Sequence, residues 1–412
     1  MYLCLPTSSA QTTIEKLIRN ASVNACINIL EQISNNELMQ EQKLLCGFPA
    51  PPLKEAARAK HIKQRLKQYG LEAEHDSCGN VTAVLAGKSS DFCCVSAHLD
   101  TVGSHTVEVR QEGNRYYGYG ISDNCAGLAA LLGIAAAITK AKLRPRRSIL
   151  FAATVGEEAE GDLRGCKYLF EQGKYAGRIS YFVSLDGPGL EQIVTVAIGV
   201  RRVRVIVTGK GGHSWLDRET PNPIHAAARI IAKLADLSYD GSALNVCKVG
   251  GGCNINTIPT EAWFEVDLRA DDNETLAKLE LHLQEKVFEA LAEEHAHRSN
   301  GHHLQVKFVP TGNRPAGRLA KSSRIVELAA EATRAVGANP VFIPASTDSN
   351  IPLSLGIEAV TIGAGGNGGA FHTSQEWYDP EGRYLALKRA LLLILALTGL
   401  QKGKLWENQS SS

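Results

Sequence analysis

Four runs of apolar and small residues recur along the chain, and each ends in a loop rich in Gly, Asp or Glu. Helical patterns lie among them, at 126–140 and at 163–172. The runs cover residues 92–100, 148–158, 179–188 and 358–366. Alternating strands and helices predict an α/β fold, with a mostly parallel mixed sheet sandwiched by helices. In such a fold, ligands bind beyond the carboxyl ends of the strands.

From about residue 200 the pattern changes to strands of alternating polarity separated by two helices. The segments are 200–214, 223–237, 256–270, 274–296 and 303–309. Alternation is typical of an antiparallel sheet with one exposed face, so we predict a separate α+β domain inserted into the first. The 412 residues also exceed what one core usually supports. We predict a main domain over 1–198 and 314–412, with the inserted domain over 199–313.

The two ends of the chain predict helices rather than membrane segments. Helical patterns cover 13–45 and 52–70, and the first residues lack the charged and apolar regions of a signal peptide. The apolar run at 390–400 is too short to span a bilayer. It therefore predicts a buried helix near the C-terminus.

The composition of the chain limits the classes of binding partner and indicates the cellular compartment. Lys and Arg number 44 against 43 Asp and Glu, which argues against nucleic acid and anionic membranes and favours small substrates. The ten cysteines show no C-x-x-C spacing. We interpret them as reduced thiols and expect a cytoplasmic protein.

Side chains that can bind metals cluster at the ends of the four runs. They are His98 and Asp100 after the first, Glu157 and Glu158 after the second, Asp186 after the third and His372 after the fourth. A strand has a period of two, so His98 and Asp100 point the same way. That geometry suits a metal ligand and a carboxylate that orients it.

Asp123 lies in a Gly-bounded loop ahead of a helix, where its two oxygens are able to bridge two cations. Asp123, Asp186 and Glu158 supply three negative charges, and a bridging hydroxide a fourth, which matches two divalent ions. Nitrogen and carboxylate ligands without cysteine suit zinc, with manganese or cobalt as alternatives.

Glu157 directly precedes the candidate ligand Glu158, and two metals need only one carboxylate at this place in the chain. A glutamate beside a metal-activated water can take its proton and pass it to a leaving amine, while the metals polarise the scissile carbonyl. Each piece also has a structural interpretation. A His-x-Asp pair can be purely structural, two glutamates can begin a solvated helix, and Asp123 can cap one. Their joint placement at one sheet edge favours metal binding.

The ordered motifs resemble a known family. They are SAHLDTV, GYGISDNCAGLAALLG, TVGEEAEG, SLDG, GKGGHSW, NTIP and FHTSQEW. This series resembles the dinuclear zinc peptidases that include peptidase T, glutamate carboxypeptidase, acetylornithine deacetylase and aminoacylase-1. The resemblance covers the chain from about residue 40 onward. Its later motifs look closer to the peptidase T branch.

The resemblance implies a role for each residue. His98 with Asp186 would hold one metal, Glu158 with His372 the other, and Asp123 would bridge them. Asp100 would orient His98, and Glu157 would act as general base and acid.

The resemblance also implies that the inserted domain is a lid that forms a homodimer. His213 would steady the oxyanion in the partner's site, although it can equally be a structural surface residue. Arg269 and Asn256 would contact substrate, or form a strand-face salt bridge and a turn amide. The loop 363–370 resembles a phosphate cradle only superficially, because it lacks a following G-K-[ST].

Three functions remain open. The first is an aminopeptidase of di- and tripeptides that uses a metal-bridging hydroxide and a Glu general base. The second is an N-acyl-amino-acid amidohydrolase, a deacetylase or a carboxypeptidase with the same metal chemistry. The third is a catalytically silent relative that only binds ligands, against which the presence of every candidate ligand argues.

Overall fold

The computed structural model of the chain describes residues 8–34, 37–103, 108–235 and 241–401. The chain forms two compact units. The main unit comprises Met1–Thr195 and Arg318–Ser412, and the inserted unit comprises Val196–Gly317. The role of the inserted unit as a lid and dimerisation domain stays a prediction.

In the main unit four described helices precede the first strand and the later helices lie among strands, while in the inserted unit both helices lie between strands. The helices are α1 (Ser9–Ile18), α2 (Ala21–Ser34), α3 (Glu37–Cys46), α4 (Ala56–Gln68), α5 (Cys125–Lys140), α6 (Arg164–Glu171), α7 (Pro223–Ala235), α8 (Asn273–His297), α9 (Arg324–Arg334), α10 (Asn350–Ser354) and α11 (Arg383–Thr398).

The described strands include both long sheet strands and short two- or three-residue pairings. They are β1 (Glu72–His75), β2 (Val81–Leu85), β3 (Phe92–His98), β4 (Arg110–Glu112), β5 (Arg115–Tyr117), β6 (Ser148–Thr154), β7 (Ile179–Leu185), β8 (Gln192–Ala197), β9 (Gly199–Thr208), β10 (Gly212–His213), β11 (Ser242–Gly251), β12 (Thr257–Ile258), β13 (Glu261–Ala270), β14 (Gln305–Arg314), β15 (Gly317–Arg318), β16 (Val341–Ala345), β17 (Glu358–Ile362), β18 (Asn367–Gly369) and β19 (Trp377–Asp379).

The largest sheet has the strand order β1-β2-β6-β3-β7-β17-β8-β15, with β16 paired to β8. Its centre, β6-β3-β7-β17, is parallel. Antiparallel pairings join β1 to β2, β2 to β6 and β8 to β17. The four parallel strands are the four apolar runs of the sequence. The predicted mostly parallel mixed sheet flanked by helices is therefore confirmed.

The central strands are covered on both faces. Every residue of β3 and of β6 is buried, as expected for parallel strands between helix layers. Helix α5 is buried along most of its length, and α11 confirms the predicted buried C-terminal helix. Gly133 of α5 has a packing reason, because a Cβ there would lie 2.8 Å from a methyl carbon of Leu38. Among the described helices, none is both long and apolar enough to cross a membrane.

The prediction of one helix over 13–45 is wrong, because three helices occupy that segment. The first break falls at Asn20, whose side-chain oxygen accepts the backbone N–H groups of Ser22 at 2.9 Å and Val23 at 3.2 Å. This cap begins α2 and ends the continuity of the helical pattern. Residues 35 and 36, before α3, lie outside the described residues.

The inserted unit contains an antiparallel sheet of order β11-β13-β9-β14. Helices α7 and α8 pack against it, and Val205, Phe264 and Leu283 are among the residues of its core. The sequence pattern predicts no strand at 242–251, where the structure has β11. No residue of β11 is fully buried, which explains why its apolar pattern is weak.

Candidate metal centre

The predicted ligands lie at the carboxyl edge of the central sheet, all within the main unit. His98 ends β3, Glu158 follows β6 and Asp186 follows β7. Asp123 lies in the loop before α5, and His372 lies between β18 and β19. Parallel strands end at one edge of a sheet, and here that edge brings the five side chains together.

Asp123 stands between two pairs of side chains. Its Oδ1 lies 3.0 Å from His98 Nε2, and its Oδ2 lies 3.3 Å from His372 Nε2. His98 Nε2 is also 3.5 Å from Asp186 Oδ1, and His372 Nε2 is 2.9 Å from Glu158 Oε1. One oxygen of Asp123 therefore faces a His–Asp pair, and the other faces a His–Glu pair.

The electrostatics of this cluster favour positive charge. Burial lowers the pKa of His98, but the neighbouring carboxylates outweigh burial and raise that pKa well above its ordinary value. Asp123 and then Glu158 raise the pKa of His372 to about 10. The same negative field that draws protons onto both imidazoles attracts divalent cations, which compete with those protons for the ligand atoms.

Asn124 fixes the loop that carries Asp123. Its side-chain oxygen accepts the N–H of Gly127 at 3.1 Å, which makes Asn124 the N-cap of α5, so the cap is not Asp123. Its amide nitrogen donates to the carbonyl oxygen of Leu185 at 2.9 Å, just before Asp186. A Cβ on Gly127 would lie 2.3 Å from that carbonyl oxygen, so glycine permits the close approach. The peptide bond between Asp123 and Asn124 is cis.

His372 has an unusual backbone. Its φ angle is 62°, in the left-handed region that residues with a Cβ rarely adopt. Backbone strain of this kind costs about 1–3 kcal/mol and clusters at functional sites. The conformation directs the imidazole toward Asp123 and Glu158.

Asp100 joins two strand ends. Its side-chain oxygens accept the backbone N–H groups of Glu157 at 2.8 Å and Glu158 at 2.7 Å. His98 Nδ1 lies 3.1 Å from the main-chain oxygen of Asp100 and 3.6 Å from its Oδ1. The main-chain oxygen is thus the nearer partner of the imidazole, while the carboxylate holds the Glu157–Glu158 turn.

Glu157 and Glu158 are both buried and do not begin a solvated helix. They lie in the turn between β6 and a short 3-10 helix, Ala159–Gly161. Gly161 closes this turn, because a Cβ there would lie 2.4 Å from the Cα of Gly156. Glu157 therefore has the position of a buried carboxyl group directly beside a candidate ligand.

Glu376 is a buried acidic residue that the apolar pattern of the sequence does not single out. Its carboxylate accepts three backbone N–H groups from the Asp123 loop: Gly120 at 3.0 Å, Ser122 at 2.9 Å and Asp123 at 3.0 Å. Burial raises the pKa of Glu376 to about 7, although these amides oppose the shift. The only signal in the sequence is its place four residues after His372 in FHTSQEW.

We expect Glu376→Gln to weaken metal binding without removing a ligand. Glutamine has one acceptor oxygen where the carboxylate has two, so an amide of the Asp123 loop loses its partner. Outer partners of metal ligands typically contribute about 10–100-fold in affinity. Titration of metal-free protein with zinc measures the effect, with the exposed Glu381→Gln as control. Equal affinity in both variants would contradict this role.

Arg58 is a second buried residue near the site that the sequence pattern does not reveal. It is fully buried, and its NH1 donates to the carbonyl oxygen of Leu99 and the hydroxyl of Thr101, both at 2.6 Å. Its other nitrogens donate to the carbonyl oxygens of Leu45 and Phe48. Arg58 thereby holds the segment that follows His98. Its surroundings in the sequence, ARAKHIKQR, have the appearance of an exposed basic helix.

His213 lies in the inserted unit, in the short strand β10. It pairs with Thr257 of β12, and the neighbouring Ser214 N–H donates to the main-chain oxygen of Asn256 at 3.0 Å. The N–H of Trp215 donates to His213 Nδ1 at 3.2 Å. With Nδ1 accepting, a neutral ring carries its proton on Nε2, and the side chain is exposed.

Asn256 and Arg269, the predicted substrate contacts, also belong to the inserted unit. The Arg269 guanidinium binds the Asp267 carboxylate on the same strand, at 2.9 Å and 3.2 Å. Asn256 directly precedes β12 and is exposed. The substrate-contact role of each residue stays a prediction.

The residues of the main unit fit a metal site by their chemistry. Single ligand atoms of His98, Asp123 and Glu158 all lie within 4.8 Å of one another. Imidazole nitrogens with carboxylate oxygens are the donors that zinc, manganese and cobalt accept. The two oxygens of Asp123 face different histidines, so the donor set fits a pair of ions.

The fold and the side-chain chemistry together define an α/β protein with a candidate site for two metal ions. The chain belongs to Peptidase family M20/M25/M40, because the sequence model of that family matches residues 94–396.

Individual proteins of known sequence resemble only part of the chain, and at low identity. A putative LysW-lysine/LysW-ornithine hydrolase of Pyrococcus abyssi (strain GE5 / Orsay) is 33% identical over 127 residues, which cover 31% of this chain and 35% of the relative. Carboxypeptidase G2 of Pseudomonas sp. (strain RS-16) is 25% identical over 278 residues, 63% of each chain. The chain thus spans less than two thirds of either relative.

A solved structure shares the fold over most of the chain. Aminopeptidase PepT from Bacillus cereus ATCC 10987 superposes with a TM-score of 0.71 at 21% identity. The match covers 89% of this chain and 99% of that one.

Proposed function

We propose that this chain is a metal-dependent hydrolase that cleaves an amide bond in small peptides, as an aminopeptidase of di- and tripeptides. The observation that carries the proposal is the position of Asp123, with one oxygen toward His98 and the other toward His372. Such a shared carboxylate suits a co-catalytic pair of divalent cations, with zinc as the first choice and manganese or cobalt as alternatives.

Each residue has a defined task in this proposal. His98 and Asp186 would hold one cation, Glu158 and His372 would hold the other, and Asp123 would be shared between the two. When bound, the cations lower the pKa of a water molecule to about 7 and polarise the scissile carbonyl.

Proton transfer belongs to Glu157. It accepts a proton from the attacking water and delivers it to the nitrogen of the leaving amine. Asp100 holds the backbone that carries this base and the neighbouring ligand, because its carboxylate accepts the main-chain N–H groups of both Glu157 and Glu158. The buried position of Glu157 supports the role, because burial keeps the carboxylate apart from bulk water.

His213 is the proposed oxyanion donor, acting in the active site of a partner subunit. Its Nδ1 accepts from Trp215, which leaves Nε2 as a donor on an exposed side chain. We expect His213→Ala to lower kcat by about 10²–10³-fold with unchanged metal content, as for other oxyanion donors. The exposed His225→Ala serves as the control in the same unit. An unchanged kcat would assign His213 a structural role.

Substrate contacts and dimerisation are assigned to the inserted unit. Asn256 and Arg269 contact the bound substrate in this proposal. The exposed apolar side chains of Trp215, Leu216 and Ile255 support a homodimer formed through this unit, since an interface would cover them. Sedimentation that finds only monomer at micromolar concentration would contradict the dimer.

A cytoplasmic location is part of the proposal. The cysteines within the described ranges are all free, which supports a reducing compartment. Cell fractionation tests the location, and recovery of the protein outside the cytoplasm would contradict it.

An N-acyl-amino-acid amidohydrolase or carboxypeptidase is the second candidate. The similarity to carboxypeptidase G2 favours it, because that alignment is the longest of the sequence relatives described above. A panel of dipeptides, tripeptides and N-acyl amino acids, assayed with zinc, manganese and cobalt, separates the candidates. The leading proposal requires release of the N-terminal residue from tripeptides with a free N-terminus. Release of the C-terminal residue instead would favour the carboxypeptidase of the second candidate. Cleavage of N-acyl amino acids alone would favour the second candidate, and no cleavage at all would contradict both.

A further inference from the structure

A cavity of about 510 Å³ lies in the main unit at the amino-terminal edge of the central sheet. Its lining includes Arg147, which directly precedes β6, and the carboxyl end of α11. The candidate metal centre follows the other end of β6. A strand of seven residues places the two sites roughly 20 Å apart.

Backbone hydrogen bonds hold the walls of this cavity together. The N–H groups of Lys88 and Ser89 donate to the carbonyl oxygen of Arg146, at 2.7 Å and 3.0 Å. The N–H of Arg146 in turn donates to the carbonyl oxygen of Gly399 at 2.9 Å. The segments that contain Lys88, Arg146 and Gly399 therefore meet here through main-chain hydrogen bonds. Lys88 and Arg146 place their charges on adjoining walls of the cavity.

The cavity has an unbalanced positive charge. Arg147 is neutralised, because its Nε lies 2.6 Å from Asp91 Oδ2 and its NH1 donates to the carbonyl oxygen of Leu397 at 2.5 Å. Lys88, Arg146 and Arg324 also line the cavity, and their residues are exposed. None of these three forms an ion pair with any residue in the described ranges.

The lining itself contains no acidic residue among the described ones. Glu358 accepts the N–H of Ile325, next to Arg324, at 2.8 Å but does not line the cavity. Three like charges around one space repel each other, and a multivalent anion would replace that repulsion with attraction.

The lining favours phosphate chemistry. Guanidinium groups match phosphate oxygens through paired N–H donors, and a lysine adds a point charge. The lining has no aromatic side chain on which a nucleobase would stack. We propose that this cavity is a binding site for a compact polyphosphate anion, separate from the metal centre.

Calorimetric titration with inorganic tripolyphosphate, at constant ionic strength, tests the proposal. The triple variant K88Q/R146Q/R324Q is expected to bind at least about tenfold more weakly than the unmodified chain, because hydrogen bonds to charged groups are lost. The control variant R19Q/K60Q/K67Q removes the same charge from exposed positions outside the cavity. Polyphosphate also chelates metals, but the metal centre is identical in all three proteins, so only the cavity accounts for a difference.

Three results would overturn the site. They are no binding by the unmodified chain, equal binding by the triple variant, and equal weakening in the control variant. Tighter binding of citrate than of tripolyphosphate would overturn the phosphate assignment. If the triple variant unfolds, the single variant R146E replaces it, with the same expected direction and the same contradicting outcomes.

Discussion

Replacing Glu157 by Gln is expected to lower kcat by about 10²–10⁴-fold, the usual contribution of a positioned general base. Glutamine keeps the size and the backbone N–H that Asp100 accepts, but it cannot take a proton from water. Metal content and KM should therefore stay close to those of the unmodified chain. Steady-state kinetics together with metal analysis measure the effect.

The matched control is Glu171→Gln, which removes an exposed carboxylate of the main unit. Its kcat should not change. If Glu157→Gln retained full turnover, Glu157 would not be the base. If the variant instead lost its metals, its role would be structural.

Asp123→Asn should have an equally large effect for a different reason. The amide group offers one acceptor oxygen, so one of the two histidine-containing pairs around Asp123 loses its shared ligand. We expect the affinity for one of the two ions to fall by ~100-fold or more. Residues that only support metal ligands contribute up to about 100-fold, and loss of a shared ligand should cost no less. Hydrolysis should fall below detection when that ion is absent.

Zinc titration followed by mass spectrometry of the native protein measures this loss. Asp162→Asn is the control, because Asp162 pairs with Lys167 and is not one of the proposed ligands. Full occupancy of both positions in Asp123→Asn would contradict the bridging role.

The central sheet could be predicted because its strands are buried on both faces and therefore have continuous apolar runs. The candidate ligands followed from the same pattern, since His98, Glu158 and Asp186 directly follow those runs. Asp123 lies on a loop, where periodicity gives no direction, and its inclusion depended on the charge balance and on the resemblance to a family. His372 also lies on a loop, and its inclusion depended on its place after the fourth run and on the same resemblance.

The supporting residues could not be predicted, because their roles exist only in the folded chain. Glu376 lies in a polar segment typical of a surface loop, yet its carboxylate accepts amides more than 250 residues earlier in the chain. Arg58 belongs to a helix with many charged residues and becomes buried because four separate main-chain and side-chain oxygens surround it. Long-range hydrogen bonds of this kind have no periodic signal.

The sequence predictions were wrong at Asn20 and at strand β11 for local reasons. The helical pattern continues through Asn20, but α1 ends at its C-cap Arg19 and the side chain of Asn20 caps the start of α2. Strand β11 lies at the edge of its sheet, where packing does not require apolar residues.

The most direct test of the account is the metal content of protein purified without chelators. Mass spectrometry of metals on the unmodified chain should find about two divalent ions per chain, as co-catalytic sites require. One ion or none, at full recovery of folded protein and with zinc supplied, would contradict the shared role of Asp123 on which the proposed hydrolysis depends.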